Sequence, residues 1–124
     1  MSTLAELKKL LQAGAPPGLI LLYGEESYFI EEGTRLLVDG LLEPGDRDFN
    51  YNPYRGKDFK AVEVVEQART LPVFSARRLV LLRHIHEASA EQLEGLITYL
   101  EDPVPETVLL ITAAKIDARR RFFQ

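Results

Sequence analysis

The 124-residue chain contains no cysteine, carries a formal net charge of only −4 and has no long apolar run. Without cysteine it can form no disulfide, thiolate nucleophile, Cys-ligated zinc site or iron–sulfur cluster. Its 15 Lys plus Arg against 19 Asp plus Glu argue against a general polyanion binder. The longest apolar run, residues 19–23, is far shorter than the roughly 20 residues of a membrane span. These absences indicate one ordinary cytoplasmic domain with no membrane partner.

Apolar runs and amphipathic stretches alternate along the rest of the chain. Buried strands are predicted at residues 18–24, 78–83 and 107–112, and a half-covered edge strand at residues 48–52. Helices are predicted at residues 3–13, from Ser27 to about residue 43, at residues 57–71, after the Ser89 capping box, and from residue 118 onward. This alternation favours an α/β fold, in which a parallel sheet forms the middle of three layers with helices on both faces.

The loop after the first strand is the place where such a sheet would bind a phosphate group. A phosphate loop of the P-loop NTPase type follows the pattern GxxxxGK[ST], in which glycines let backbone amides approach the phosphates. Gly24 fits the first glycine of this pattern. Phe29, Ile30 and Glu31 stand where the second glycine, the lysine and the magnesium-binding hydroxyl would be.

Charge also argues against nucleotide binding at this loop. Glu25 and Glu26, ahead of Ser27, would repel a triphosphate. The strand at residues 78–83 ends in Arg83, where a working ATPase would carry a metal-binding carboxylate. We therefore interpret Gly24, Glu25, Glu26 and Ser27 as a degenerate phosphate loop that binds no nucleotide, and we expect no cofactor.

Other chemistry is weakly supported by the sequence. His84 and His86 share a face if they lie on a strand end, and Glu87 is adjacent, but a structural role for the histidines is favoured over a metal site. No serine lies in a GxSxG elbow, so no hydrolase triad is predicted. The residues indicate a protein without catalytic activity. A nucleotide-binding P-loop-like protein or a phosphotransferase remains the alternative.

Three segments together carry a family resemblance: LILLYGEESYFIEEG, ARTLPVFSARRLVLLRHIHE and LITYLEDPVPETVLLITAAKIDARRRFF. They resemble the N-terminal domain of the delta subunit of the bacterial DNA polymerase III clamp loader, a subunit that functions in DNA replication. The resemblance implies an AAA+ domain that has lost ATP binding. It also implies that residues 1–124 form a single domain of a longer subunit, whose helical lid and collar domains are missing here.

The same resemblance implies a binding site for the beta sliding clamp, which the delta subunit binds and helps to open. The matching segment is Leu71-Pro72-Val73-Phe74-Ser75, and Leu71, Val73 and Phe74 are the expected clamp-binding residues. An exposed aromatic and aliphatic pair is a typical interface anchor. The alternative from the residues alone is that Phe74 folds under the sheet as a core residue.

Further partners follow from the resemblance. Other clamp-loader subunits would be contacted through the missing collar, and DNA through the full assembly. Lys115, Arg119, Arg120 and Arg121 are possible contacts to DNA or to the lid domain. Because three consecutive arginines on a helix point in three directions, a solvated face or contacts to the lid are favoured over a DNA site.

Overall fold

The structure, a computed structural model, describes residues 18–24, 26–42, 45, 47–73 and 77–114. The predicted helices before residue 14 and after residue 117 lie outside these ranges. The strands are β1 (Leu19–Tyr23), β2 (Tyr51–Arg55), β3 (Arg78–Arg83) and β4 (Thr107–Ala113). The helices are α1 (Ser27–Leu41), α2 (Arg47–Asn50), α3 (Ala61–Ala68) and α4 (Ala90–Glu101), with a 3-10 turn at Ile85–Glu87.

The four strands form one sheet in the order β1-β4-β3-β2, and every pairing between them is parallel. The prediction of an α/β fold with a parallel sheet is therefore confirmed. Because the strands run in the same direction, all of them begin at one edge of the sheet and end at the other. We call these the amino edge and the carboxyl edge.

Apolar side chains cover both faces of the sheet and make a three-layer structure. One face packs against α1, through residues that include Leu37 and Leu41 of the helix and Leu81 of β3. The other face packs against α3 and α4, through residues that include Val64 and Leu96. The two interior strands of the sheet, β3 and β4, are buried on both faces, as their continuous apolar runs predict. β1 is more open than expected, since Leu19 is 49% exposed.

The strand predicted at residues 48–52 is wrong in position. Residues Arg47–Asn50 form the short helix α2, and the strand begins at Tyr51 and includes Pro53. Proline has no N–H to donate to a ladder and is confined largely to edge strands. The described strand β2 pairs with β3 alone, so its predicted edge position is confirmed even though its boundaries are not.

Two predicted helix starts have different outcomes. The Ser89 capping box is confirmed: the Ser89 hydroxyl accepts the Gln92 N–H at 3.1 Å, and the Gln92 side-chain oxygen accepts the Ser89 N–H at 2.8 Å. Ser27 instead is the first helical residue of α1, after Glu26 as N-cap, and no side-chain cap is present there.

Helix α3 is shorter than the predicted range of residues 57–71. Val62, expected beside its apolar face, is 72% exposed, and Val64 packs into the core together with Ala68.

Candidate functional site

The degenerate phosphate loop lies at the carboxyl edge, between β1 and α1. Gly24 has a φ of 148°, a backbone conformation that favours glycine, and its N–H donates to the Ala113 carbonyl at 3.1 Å. Glu26 and Ser27 are exposed, and Glu25 lies outside the described residues. Ile30, at the position of the phosphate-binding lysine, is 7% exposed and packs in the core. The side chain at this position is thus directed into the protein and has no charge.

An ion pair joins the two other altered positions at this edge. Arg83 Nη1 lies 2.9 Å from both carboxylate oxygens of Glu31. In the P-loop pattern these positions would carry a metal-binding carboxylate and a magnesium-binding hydroxyl. Arg83 puts a cation in place of the carboxylate, Glu31 puts a carboxylate in place of the neutral hydroxyl, and the two charges neutralise each other. The arrangement has neither the lysine nor the metal ligands that a nucleotide requires.

The histidines next to Arg83 have structural partners. The ring nitrogen Nδ1 of His86 accepts the Ala114 N–H at 2.9 Å. The backbone N–H of His84 donates to the Thr112 hydroxyl at 3.1 Å. Gly56 lies so close to this turn that a Cβ there would collide with the His84 carbonyl oxygen. Within the described ranges, no group of three potential ligands is arranged to hold a metal ion.

The predicted clamp-binding segment lies at the opposite, amino edge, where the chain passes from α3 to β3. We call residues 71–74 the docking segment. Leu71 is 62% exposed and Val73 is 39% exposed. Phe74, with the next two residues, lies outside the described part of the chain. The side chains of Leu71 and Val73 are therefore accessible to a partner.

The backbone around the docking segment is held by three buried polar side chains that come from the starts of neighbouring strands. Asn50, just before β2, donates from Nδ2 to the Val73 carbonyl at 2.8 Å and accepts the Val73 N–H on Oδ1 at 2.6 Å. Thr107, the first residue of β4, donates its hydroxyl to the Ala68 carbonyl at 2.7 Å. Asn50 and Thr107 are both 0% exposed.

Arg78, the first residue of β3, is the third of these side chains and is 3% exposed. Its Nε donates to the Thr70 carbonyl at 2.9 Å and its Nη2 to the Leu71 carbonyl at 3.4 Å. Its Nη1 donates to Asn52 Oδ1 at 2.8 Å. Burial lowers the pKa of the Arg78 guanidinium from its ordinary value, an effect that the nearby Tyr54 opposes. Arginine nevertheless stays protonated in proteins, so the buried charge is compensated by these three acceptors.

The sequence-predicted residues thus fall at two separate edges. Gly24, Glu26 and Ser27 lie at the carboxyl edge, and Leu71 and Val73 lie at the amino edge. Lys115, Arg119, Arg120 and Arg121 lie outside the described residues, and their role stays a prediction.

Asn50, Arg78 and Thr107 were not identified from the sequence. Each of them is a polar residue immediately before, or at the first position of, a strand. This pattern alone does not predict that the side chain is buried or which backbone group it binds.

The parallel sheet and the helical layers on both faces define a three-layer α/β domain, and the loop after β1 departs from the phosphate-binding pattern. The family model described as "DNA polymerase III, delta subunit" matches residues 20–124. The chain belongs to this family. A curated relative, the DNA polymerase III subunit delta of Bacillus subtilis, is 26% identical over 123 residues. The alternative of a nucleotide-binding protein or phosphotransferase is not favoured by these comparisons.

Two solved structures have the same fold. The DNA clamp loader delta protein of Bacillus subtilis matches with a TM-score of 0.85 over 97% of this chain, at 24% identity. A DNA polymerase III gamma subunit-related protein of Thermotoga maritima matches with a TM-score of 0.69 over 91% of this chain, at 15% identity.

The chain spans little more than a third of the Bacillus subtilis proteins, namely 35% of the curated relative and 38% of the solved chain, and 40% of the Thermotoga maritima chain. Among the residues that the structure describes, no helix has the length and apolar character needed to cross a membrane.

Proposed function

We propose that this chain is the clamp-binding domain of a clamp-loader delta subunit, which binds the beta sliding clamp and helps to open it during DNA replication. The observation that carries the proposal is the exposure of Leu71 and Val73 on a segment whose backbone is fixed to the amino edge of the sheet. Exposed apolar side chains on a fixed backbone are the usual anchors of a protein interface. Phe74 extends the same apolar segment in the sequence.

The proposal extends to the rest of the protein. We infer that residues 1–124 are the first domain of a longer protein, which we call the intact subunit, with helical lid and collar domains after it. The collar would contact the other clamp-loader subunits, and DNA would be reached through the full assembly. The family membership and the small share of the relatives' length support this division.

The domain itself acts without catalysis in this proposal. Support comes from the buried Ile30 and from the Arg83–Glu31 ion pair, which occupy positions that would otherwise contact phosphate and metal. Opening of the clamp then uses binding energy to which the docking segment contributes, and any energy from ATP is supplied by other subunits.

The test is a double substitution in the docking segment of the intact subunit. Val73→Ala with Phe74→Ala is expected to weaken binding to the cognate sliding clamp by roughly 100-fold or more, because anchor residues commonly contribute 2 kcal/mol or more each. Binding would be measured by surface plasmon resonance with the clamp immobilised.

A matched control is available elsewhere on the same domain. Val62 and Tyr28 are an aliphatic and an aromatic side chain that are 72% and 73% exposed, on α3 and α1. Val62→Ala with Tyr28→Ala should leave clamp affinity unchanged. Unchanged affinity in the docking-segment variant, or an equal loss in both variants, would contradict the proposed site.

A further inference from the structure

Buried polar side chains in the described residues are concentrated at the amino edge. Asn50, Arg78 and Thr107 come from the starts of three neighbouring strands, and all three bind backbone groups between Ala68 and Val73. Polar groups are removed from water only at a cost unless they find partners. Here the partners are backbone atoms of the stretch that runs from the last residue of α3 to Val73.

Asn50 is chemically matched to this task. A side-chain amide has a donor and an acceptor side by side, and Asn50 uses both on the N–H and the carbonyl of the same residue, Val73. The two residues are 23 positions apart in the sequence, so this contact fixes the docking segment relative to the sheet. Aspartate has no donor for the carbonyl, and an aliphatic residue of the same size can make neither bond.

Arg78 binds the backbone shortly before Val73, at Thr70 and Leu71. Its guanidinium donates to the carbonyls of Thr70 and Leu71, and its Nη1 donates to the side-chain oxygen of Asn52 in β2. A planar group with several donors in a fixed arrangement can orient two successive peptide units, which a lysine cannot do. The side chains of Leu71 and Val73 remain exposed while their backbone is bound.

We propose that Asn50 and Arg78 are positioning residues that hold Leu71 and Val73 of the docking segment in their binding conformation before the partner arrives. The inference rests on the proposed function, since the partner is the sliding clamp. Ordering a residue on binding opposes association by about 1–2 kcal/mol of backbone entropy. A segment that is already ordered in the free protein avoids this loss, so its few apolar contacts bind more tightly.

The test compares two variants that each remove a buried side-chain hydrogen bond to the backbone. Asn50→Ala removes the bonds to Val73. Thr34→Val removes the bond from the buried Thr34 hydroxyl to the Ile30 carbonyl in α1, on the other side of the sheet. In the intact subunit, Asn50→Ala should weaken clamp binding about ten-fold, equivalent to about 1.4 kcal/mol. Thr34→Val should leave the affinity unchanged.

A second variant separates positioning from folding. Asn50→Ser is neutral and keeps one short hydroxyl, which cannot bond the N–H and the carbonyl of Val73 together, so its affinity should lie below wild type and no lower than that of Asn50→Ala. In the free subunit, hydrogen exchange of the Val73 amide should become at least about ten-fold faster in Asn50→Ala, whereas the Leu110 amide in β4 should exchange at the wild-type rate. If Asn50→Ala does not fold, Asn50→Ser carries both measurements.

The outcomes distinguish this inference from the proposed function. Wild-type affinity in the Asn50 variants, with binding lost in Val73→Ala/Phe74→Ala, would overturn the positioning role and leave the docking segment in place. An equal loss in Thr34→Val would show an effect of overall stability and would also overturn it. Wild-type binding by Val73→Ala/Phe74→Ala would contradict the proposed function itself.

Discussion

The amino and carboxyl edges of the sheet differ in how their polar residues are used. At the amino edge, Asn50, Arg78 and Thr107 are almost completely buried and bind the backbone of the segment that leads to β3. At the carboxyl edge, the described ion pair of Arg83 and Glu31 is partly exposed to water, with side-chain exposures of 32% and 56%.

Ligands of open α/β sheets bind at the carboxyl edge, where the strands end. In this chain the residues at that edge neutralise one another, while the opposite edge carries a supported, exposed apolar segment. The proposed functional surface thus lies at the end of the strands opposite to the one where ligands of such sheets bind.

Replacing Arg78 tests how far the stability of the amino edge depends on its buried arginine. Arg78→Met keeps much of the side-chain volume and leaves the Thr70 and Leu71 carbonyls and the Asn52 side chain without their donor. We expect a loss of about 2–4 kcal/mol in the free energy of unfolding, because buried groups lose charge-assisted hydrogen bonds. Urea unfolding followed by circular dichroism would measure it.

Arg83→Met is the matched control, since Arg83 is the last residue of the same strand. Its ion pair is partly exposed, so the expected loss is less than about 1 kcal/mol. If the two substitutions destabilised the chain equally, the two edges would not differ in the way described above.

A smaller effect is expected from the ion pair at the carboxyl edge. A double-mutant cycle with Glu31→Gln and Arg83→Met should give a coupling energy of about 0.2–1 kcal/mol, as for other exposed pairs. The coupling should decrease in high salt because exposed charges are screened. A coupling energy well above this range that persists in high salt would mean that the pair is desolvated and stabilises this edge as strongly as Arg78 does the other.

Local patterns predicted the elements whose signals lie within a few residues. The apolar run of β3 and the Ser89 capping box each determine their element almost without help from the rest of the chain. The strand at residues 48–52 was misplaced because its polar–aromatic alternation begins in the short helix α2, and because Pro53, an unusual strand residue, is accepted at the edge.

Only one part of the candidate site, the docking segment, was predicted from the sequence; the side chains that bind its backbone were not. The docking segment was identified through the family resemblance. The Asn50 contact to Val73 and the Thr107 contact to Ala68 join residues 23 and 39 positions apart, and such pairs have no local pattern. They exist because the parallel sheet brings the starts of separate strands to one edge, which is a property of the tertiary fold.

The last prediction concerns an effect expected to be absent. Calorimetric titration of the chain with ATP and magnesium should give no saturable binding heat, because Ile30 is buried where a phosphate-binding lysine would have to reach outward. The variant Glu31→Thr with Arg83→Asp restores residues of the metal-binding type but not the lysine or the second glycine. It should also give no heat. Binding by the wild type would contradict the loss of this site, and binding gained by the variant alone would show that the ion pair, rather than the buried Ile30, is what closes the carboxyl edge to nucleotides.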